Sequence, residues 1–301
     1  MKDLRIVFMG TPEFAVNSLE AILNAGFNVV GVITAPDRPA GRGRKLKESA
    51  VKAFAKTRNL PVLQPTNLKS DDFQDELKAL APNVQVVVAF RMLPKSVWSL
   101  PEYGTFNLHA SLLPQYRGAA PINWAIIKGE KKTGVSTFFL DEKIDTGAMI
   151  LQEELSISET ENVESLHDRL METGSRLVVK TLEAIARDEV NPIPQPESKE
   201  LKNAPKLTRE NTKIDWNQPL NEIYNLVRGL NPYPAAWCYL ENSSEEMKVK
   251  VYDIEKLQQD HHLPYGTVSV ADDQIKVAAQ DGFILINEIQ LPGKRKLHSK
   301  A

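Results

Sequence analysis

A short run near the middle of the chain combines an amide and an imidazole at the spacing that a catalytic site needs. Asn107 and His109 stand two residues apart in Thr105–His109, whose composition predicts a β-strand. Because side chains alternate along a strand, both should leave the same face while Leu108 points into a core. An amide donor beside a proton-transferring group suits acyl transfer, in which negative charge builds on a carbonyl oxygen while an amine loses a proton.

Two further features could complete this site. Residues 111–114 follow the strand directly and end in a proline, which predicts a fixed turn. Asp145 lies farther along the chain in an Asp-Thr-Gly turn, and the sequence leaves two roles open for it: orienting His109 or stabilising its own turn. A lone histidine is more often a packing residue than a catalyst, so the prediction of chemistry depends on all these groups occurring together.

The elements that would position these residues alternate between strand and helix. Thr11 and Pro12 predict the start of the first helix, with Thr11 as its N-cap, and Gly26 predicts its end. A long amphipathic helix is predicted over residues 163–186. Strand patterns occur at residues 4–9, 28–34, 61–63, 84–90, 135–140 and 148–152. This order predicts an α/β fold with a mostly parallel, doubly wound sheet that keeps its ligands at the carboxyl ends of the strands.

The composition changes after residue 190. Residues 191–197 contain three prolines, which predicts an extended, semi-rigid linker. Beyond it, a helical pattern at 223–230 is followed by short strands with turns between them, which is typical of a small β-barrel. We therefore predict a catalytic domain over residues 1–190, a linker over 191–205 and a second domain over 206–301.

The overall composition is that of a globular chain. Of 301 residues, 42% are hydrophobic and 25% are charged, and the net charge of −2 gives no general attraction to nucleic acid. The single cysteine, Cys238, excludes a disulfide within the chain and cannot by itself build a metal site. The N-terminus lacks a signal-peptide pattern and no apolar run is long enough for a membrane span, so we expect a cytoplasmic protein.

One segment is strongly basic although the chain as a whole is not. It contains five cations interleaved with two glycines and no acid between its ends: Arg38, Arg42, Arg44, Lys45 and Lys47. Such a run is either a solvated loop or a flexible arm that binds phosphates, for which arginine is well suited. The sequence alone leaves both interpretations open.

A nicotinamide dehydrogenase is disfavoured by the first strand–helix turn. That turn has a single glycine, Gly10, where the dinucleotide fingerprint needs three. Glu13 would also place a negative charge where the pyrophosphate should lie.

Six segments together carry a specific resemblance that covers essentially the whole chain. They are residues 7–15, 35–43, 107–121, 145–147, 206–208 and 231–236. Segment 107–121 alone is similar to folate-dependent formyltransferases in general. Together with the N-terminal and C-terminal segments, it resembles the methionyl-tRNA formyltransferase family.

The resemblance implies a Rossmann-like formyltransferase domain followed by a small OB-like β-barrel domain that binds tRNA. It implies formyl transfer from 10-formyltetrahydrofolate to the α-amino group of methionyl initiator tRNA. The implied catalytic residues are Asn107, His109 and Asp145. The folate-binding residues that we expect are Ser111, Leu112, Leu113, Pro114, Phe90, Met92 and Leu93. The tRNA-binding residues that we expect are Arg38, Arg42, Arg44, Lys45 and Lys206. We expect no metal, no membrane partner and a monomer.

The chain departs from the family pattern at one folate loop. Many members have Tyr-Gly where this sequence has Phe90 and Arg91, so a cation replaces a flexible position.

Two other functions remain open. A formyltransferase for an amino sugar or small amine would use the same Asn-His-Asp site, and a non-catalytic RNA-binding module would keep only the fold.

Overall fold

The computed structural model describes residues 1–40, 45–196, 200–241, 245–271 and 274–298. The chain forms two compact units, the first from residues 1–117, 134–155 and 169–202, and the second from 118–133, 156–168 and 203–301. The second unit thus also takes two segments from the first 190 residues of the chain. The domain boundaries given above stay predictions.

The helices and strands are numbered in chain order. The helices are α1 (Glu13–Asn24), α2 (Ala50–Thr57), α3 (Asp71–Ala79), α4 (Lys95–Trp98), α5 (Pro121–Ile127), α6 (Val163–Arg187) and α7 (Leu220–Leu230). The strands up to residue 118 are β1 (Arg5–Gly10), β2 (Asn28–Ile33), β3 (Arg38–Ala40), β4 (Lys45–Lys47), β5 (Val62–Leu63), β6 (Val84–Val88), β7 (Thr105–His109) and β8 (Arg117–Gly118). The later strands are β9 (Lys132–Phe139), β10 (Met149–Ser156), β11 (Asn203–Ala204), β12 (Ala236–Glu241), β13 (Glu246–Leu257), β14 (Val268–Ala271), β15 (Gln274–Ala279), β16 (Gly282–Gln290) and β17 (Lys296–His298).

Among the helices described, none has the length and apolar character required to cross a bilayer.

A seven-stranded sheet organises the first unit, in the order β10-β9-β7-β6-β1-β2-β5. The strands from β7 to β5 pair in parallel, and β9 runs antiparallel to β7. The predicted mostly parallel sheet is therefore confirmed. β6 lies between β1 and β7 and is buried at all five positions, which explains why four of its five residues are valine. The fifth, Gln85, accepts a hydrogen bond from the Thr105 hydroxyl through its side-chain oxygen.

The start of α1 differs from the prediction. Pro12, not Thr11, occupies the N-cap position, with φ −83° and ψ 177°, and no side chain caps the helix. An extended backbone at Pro12 moves the first helical residue to Glu13, whose carboxylate lies in the first turn and favours the helix dipole. Gly26 follows the helix with φ +80°, as a C-terminal stop requires.

The second unit contains an antiparallel sheet in the order β12-β13-β16-β15-β14, with β17 added beside β16. Apolar residues of this sheet and of α7 form one buried cluster, which includes Leu220, Val227, Val251, Ile254 and Ile284. The predicted α/β fold with a Rossmann-like domain and a small OB-like domain is confirmed.

Candidate active site

β7 carries the predicted amide and imidazole at the carboxyl end of the parallel strands. Asn107 is partly exposed, whereas its neighbours Phe106 and Leu108 are buried in the core. His109 is only 7% exposed. Among the residues described, none hydrogen-bonds to the Asn107 carboxamide, so its N–H donors are available to a substrate.

The His109 ring is held from both sides. Its Nε2 donates a hydrogen bond to the Tyr116 carbonyl over 2.9 Å. Its Nδ1 lies 3.8 Å from Oδ2 of Asp145, a carboxylate that is itself largely buried. Because the carbonyl can only accept, the proton of this hydrogen bond lies on Nε2, and Nδ1 is the nitrogen that faces the carboxylate.

Asp145 reaches this position through the turn between β9 and β10. Its backbone is left-handed, with φ +55°. The Thr146 hydroxyl donates to the Asp141 carboxylate over 2.7 and 2.9 Å, which closes the turn on its outer side. Gly147 leaves no room for a side chain, since a Cβ there would lie 1.7 Å from the Phe139 carbonyl oxygen. These contacts that shape the turn involve Asp141, Thr146 and Gly147, and the orienting role of Asp145 stays a prediction.

The loop after β7 is fixed by two polar residues from the neighbouring strands. The Ser136 hydroxyl donates to the Ser111 carbonyl over 2.6 Å and accepts from the Leu113 N–H over 3.2 Å. The Gln152 side chain donates to the Leu113 carbonyl over 2.8 Å and to Ser136 over 2.9 Å. Both backbone polar groups of Leu113 are thus satisfied within the protein, which holds the loop in one conformation.

The four residues of this loop differ in what they can offer a ligand. Ser111 is fully buried and donates its hydroxyl to the Gln115 carbonyl over 2.6 Å, and Leu113 is 3% exposed. Leu112 and Pro114 are partly exposed. Side-chain contact with a ligand would therefore come from Leu112 and Pro114, while Ser111 and Leu113 shape the loop.

Family profiles and named relatives match this chain over nearly its whole length. A profile of the formyl transferase family matches residues 4–182, and that of the formyl transferase C-terminal domain matches residues 206–301. A protein of Flavobacterium johnsoniae named methionyl-tRNA formyltransferase is 56% identical over 99% of this chain and 94% of its own length. A protein of Bacteroides thetaiotaomicron with the same name is 52% identical over 98% of this chain and 94% of its own. The chain belongs to the methionyl-tRNA formyltransferase family.

A more distant likeness concerns the fold alone. The crystal structure of WlaRD, a sugar 3N-formyl transferase in the presence of dTDP and 5-N-formyl-THF, is 21% identical with a TM-score of 0.68. The match covers 98% of this chain and all of that one. The formyltransferase fold thus extends over both units of the present chain.

The second predicted folate loop of this formyltransferase follows β6. Phe90 is partly buried against the apolar core of the first unit, and Leu93 is 8% exposed within the same core. Met92, by contrast, is 67% exposed. Of the three predicted residues, Met92 is the one with a large apolar surface to offer a ligand.

Arg91, the next residue of this loop, connects two segments of the first unit. Its guanidinium donates to the carbonyls of Pro65 and Thr66, in the segment after β5. Partial burial, and secondly the charge of Arg38, lower the pKa of Arg91. The cation thus ties the loop after β6 to the segment after β5.

The basic segment is partly an ordered hairpin, in contrast to the loop expected from its sequence. β3 and β4 pair antiparallel, with Arg38 opposite Lys47. Asp37 anchors the base of the hairpin, accepting from Lys52 over 2.6 Å and from Gln64 over 2.8 Å. Arg42 and Arg44 lie outside the described residues, as does the side chain of Lys45.

The second unit of the formyltransferase carries a compact group of cations around two aromatic rings. Lys248 lies 4.1 Å and Lys213 5.7 Å from the Trp237 ring centroid. Arg209 lies 5.3 Å from the same ring and donates to the Tyr239 hydroxyl over 2.6 Å. We call these residues the basic–aromatic patch: Arg209, Lys213, Trp237, Tyr239 and Lys248. Lys206 is exposed on the same unit.

The sequence did not single out several residues that build these sites. Ser136 and Gln152 lie on β9 and β10, and no local pattern in the sequence indicated that they bond to the loop after β7. Gln195 lies in the proline-rich segment, where its neighbours suggested only a linker. Among the residues described, no group of three or more His, Cys, Asp or Glu could hold a metal ion.

Proposed function

We propose that the protein transfers the formyl group of 10-formyltetrahydrofolate directly to the α-amino group of methionine on initiator tRNA. The observation that carries this assignment is the His109 ring, which is held between the Tyr116 carbonyl and the Asp145 carboxylate on the strand that presents Asn107. Extended similarity to proteins named methionyl-tRNA formyltransferase supports the choice of substrate.

The chemistry begins when the neutral methionyl amine attacks the formyl carbon, forming a C–N bond while the carbonyl oxygen becomes negative. Asn107 donates an N–H to that oxygen, and removal of one such donor typically lowers kcat by about 100- to 1000-fold. His109, protonated at this stage, adds positive charge beside the oxygen. No covalent bond to the protein is required.

Collapse of the intermediate breaks the bond between the formyl carbon and N10 of the folate. His109 gives its Nδ1 proton to N10, and general acid catalysis of this kind contributes roughly 100- to 10,000-fold. While it is ionised, Asp145 stabilises the imidazolium through its negative charge, and it then takes the proton that the amine loses, directly or through water. One proton leaves the amine and one reaches N10, so the transfer is balanced.

The described residues offer apolar contacts to the ring system of the folate co-substrate. Leu112, Pro114 and Met92 have exposed apolar surface on two loops that follow neighbouring strands. Folate supplies an activated one-carbon unit, so the protein contributes position and electrostatics.

Each unit offers contacts for the phosphates of tRNA. In the first unit, these are Arg38 and the other cations of the β3–β4 segment, Arg42, Arg44 and Lys45. In the second unit, they are Lys206 and the basic–aromatic patch, where arginine and lysine can bind phosphate. We place the reaction in the cytoplasm, with the protein acting as a monomer.

The test is an assay with 10-formyltetrahydrofolate and three acceptors: initiator methionyl-tRNA, elongator methionyl-tRNA and a nucleotide-linked amino sugar. We expect formylation of the initiator tRNA alone. Preferred formylation of the amino sugar would overturn the substrate assignment, and folate binding without turnover would indicate a non-catalytic module.

The catalytic assignment is tested with His109→Ala and a matched control, His167→Ala. His167 also lies beside an aspartate, 3.1 Å from Asp168, but it is on the surface of α6. We expect His109→Ala to lower kcat by about 100-fold or more and His167→Ala to leave it unchanged. Near-wild-type turnover by His109→Ala would contradict the mechanism.

A further inference from the structure

Gln195 lies in the proline-rich segment between the last helix of the first unit and the second unit's main sheet. This segment is hydrogen-bonded to β10 of the first unit's seven-stranded sheet and is not a free tether. Ile193 and Met149, at the start of β10, exchange both backbone hydrogen bonds over 2.8 Å. That pairing brings the Gln195 side chain, two residues further on, to the turn that carries Asp145.

Both the N–H donors and the oxygen acceptor of the Gln195 amide bond to segments of the candidate active site. Its Nε2 donates to the Asp145 carbonyl over 3.0 Å and to the Gly147 carbonyl over 2.8 Å. Its Oε1 accepts from Nε and Nη2 of Arg117 over 3.1 and 2.6 Å. The amide orientation is unambiguous, because a flipped amide would set two donors against the guanidinium and an oxygen against two carbonyls.

These contacts close a ring of interactions around His109. Nε2 of His109 is bonded to the carbonyl of Tyr116, the residue before Arg117. Nδ1 of His109 faces Asp145, whose own carbonyl is bonded to Gln195. Gln195 therefore joins the two backbone segments that restrain the two nitrogens of the ring.

We propose that Gln195 is a positioning residue for formyl transfer, which sets the distance between Asp145 and His109. The proposal rests on the function proposed above. Asp145 is a non-glycine residue with φ +55°, a conformation that persists only where surrounding contacts hold it. Gln195 provides two of those contacts, to the carbonyls of Asp145 and Gly147, in addition to the bond between Thr146 and Asp141. Without it, the carboxylate can move relative to the ring.

The experiment is a double-mutant cycle of Gln195→Met and Asp145→Asn in the full chain, with initiator methionyl-tRNA and 10-formyltetrahydrofolate as substrates. In the wild-type background, Gln195→Met should lower kcat by about 10- to 100-fold, the effect of a small misplacement of a catalytic group. In the Asp145→Asn background, it should lower kcat by less than about 2-fold, because the two residues act through one interaction. The pH profile of kcat should shift in the same direction in both single variants.

Controls separate positioning from folding. Ile193→Ala changes an exposed side chain of the same segment and should retain full kcat. Gln195→Glu keeps the acceptor for Arg117 but has no donor for the two carbonyls, so it should lose kcat as Gln195→Met does. Thermal unfolding midpoints identify any variant that fails to fold.

Three results would overturn the inference. An equal loss of kcat from Gln195→Met in both backgrounds would indicate a general structural role. Wild-type kcat in both Gln195 variants would remove the role altogether. Wild-type kcat in Asp145→Asn would instead overturn the catalytic assignment of Asp145 itself, and the positioning role of Gln195 would fall with it.

Discussion

The role proposed for His109 depends on which of its ring nitrogens is already hydrogen-bonded within the protein. The Tyr116 carbonyl takes Nε2, and Tyr116 can present that carbonyl because its backbone turns sharply, with φ +58°. Nδ1 and Asp145 are 3.8 Å apart, longer than a hydrogen bond and within the range of an ion pair. The proposed role of His109 therefore depends on Nδ1, the ring nitrogen that faces the Asp145 carboxylate.

Gly147 holds the turn that carries Asp145 close to β9, where there is no room for a larger side chain. We expect Gly147→Ala to destabilise the protein by roughly 1–3 kcal/mol, because the new methyl group would meet a backbone oxygen that belongs to β9. It should also lower kcat by displacing Asp145. Thermal unfolding and steady-state kinetics measure the two effects.

The matched control is Gly26→Ala, at a glycine with open space around it but a φ of +80°. That substitution introduces backbone strain without a clash and lies outside the site, so it should lower stability by about 1 kcal/mol and leave kcat intact. If Gly147→Ala were as active and as stable as Gly26→Ala, the tight turn would have no functional meaning.

At the scale of elements, the base of the β3–β4 hairpin is an electrostatic anchor. The hydrogen bond from Lys52, and secondly that from Gln64, lower the pKa of Asp37 below its ordinary value of 3.8. Because this pKa is lower in the folded state, the ionised Asp37 stabilises the hairpin at pH values above the ordinary pKa. This stabilisation is lost as the pH falls through the folded-state pKa. The anchor should therefore hold at neutral pH and fail only in acid.

We expect Lys52→Met to raise the pKa of Asp37, as followed by an NMR titration of its carboxyl carbon. Lys78→Met removes another surface ion pair, with Asp75, and should leave the Asp37 titration unchanged. An identical Asp37 pKa in Lys52→Met and wild type would show that the anchor is not electrostatic.

Strand β12 carries the single cysteine in an unreactive environment. Burial raises the pKa of the Cys238 thiol to about 11. Since the thiolate is the reactive form, we expect Cys238 to react with iodoacetamide at pH 8 about 100-fold or more slowly in the native protein than after unfolding in guanidinium chloride. Equal rates in the two states would contradict the burial of this thiol.

At the scale of the whole molecule, the sequence predicted what local patterns determine. The β-branched residues of β6 and the alternating pattern of β7 correctly predicted two strands. Because Asn107 and His109 are two residues apart on β7, the sequence also predicted that they lie side by side. The roles of Ser136, Gln152 and Gln195 could not be predicted, because they depend on hydrogen bonds between segments far apart in sequence. The N-cap of α1 was missed because the backbone at Pro12 is extended, which no local pattern revealed.

The charge distribution of the whole molecule gives the last prediction. Residues 205–301 contain 12 basic and 13 acidic residues, so any attraction of tRNA by this region must come from a local group of cations. The basic–aromatic patch is such a group, and nearby positive charges lower the pKa of Lys248 after the larger effect of burial. Each phosphate contact that is lost should reduce the slope of log affinity against log salt by about 1. We therefore expect the triple variant Arg209→Ala, Lys213→Ala, Lys248→Ala to bind initiator tRNA more weakly at low salt, and with a slope smaller by up to about 3.

The control is a triple variant with the same change in net charge at cations that already pair with carboxylates: Lys78→Ala, Lys131→Ala and Lys180→Ala. If both triple variants changed the salt slope equally, net charge and not the patch would govern tRNA binding.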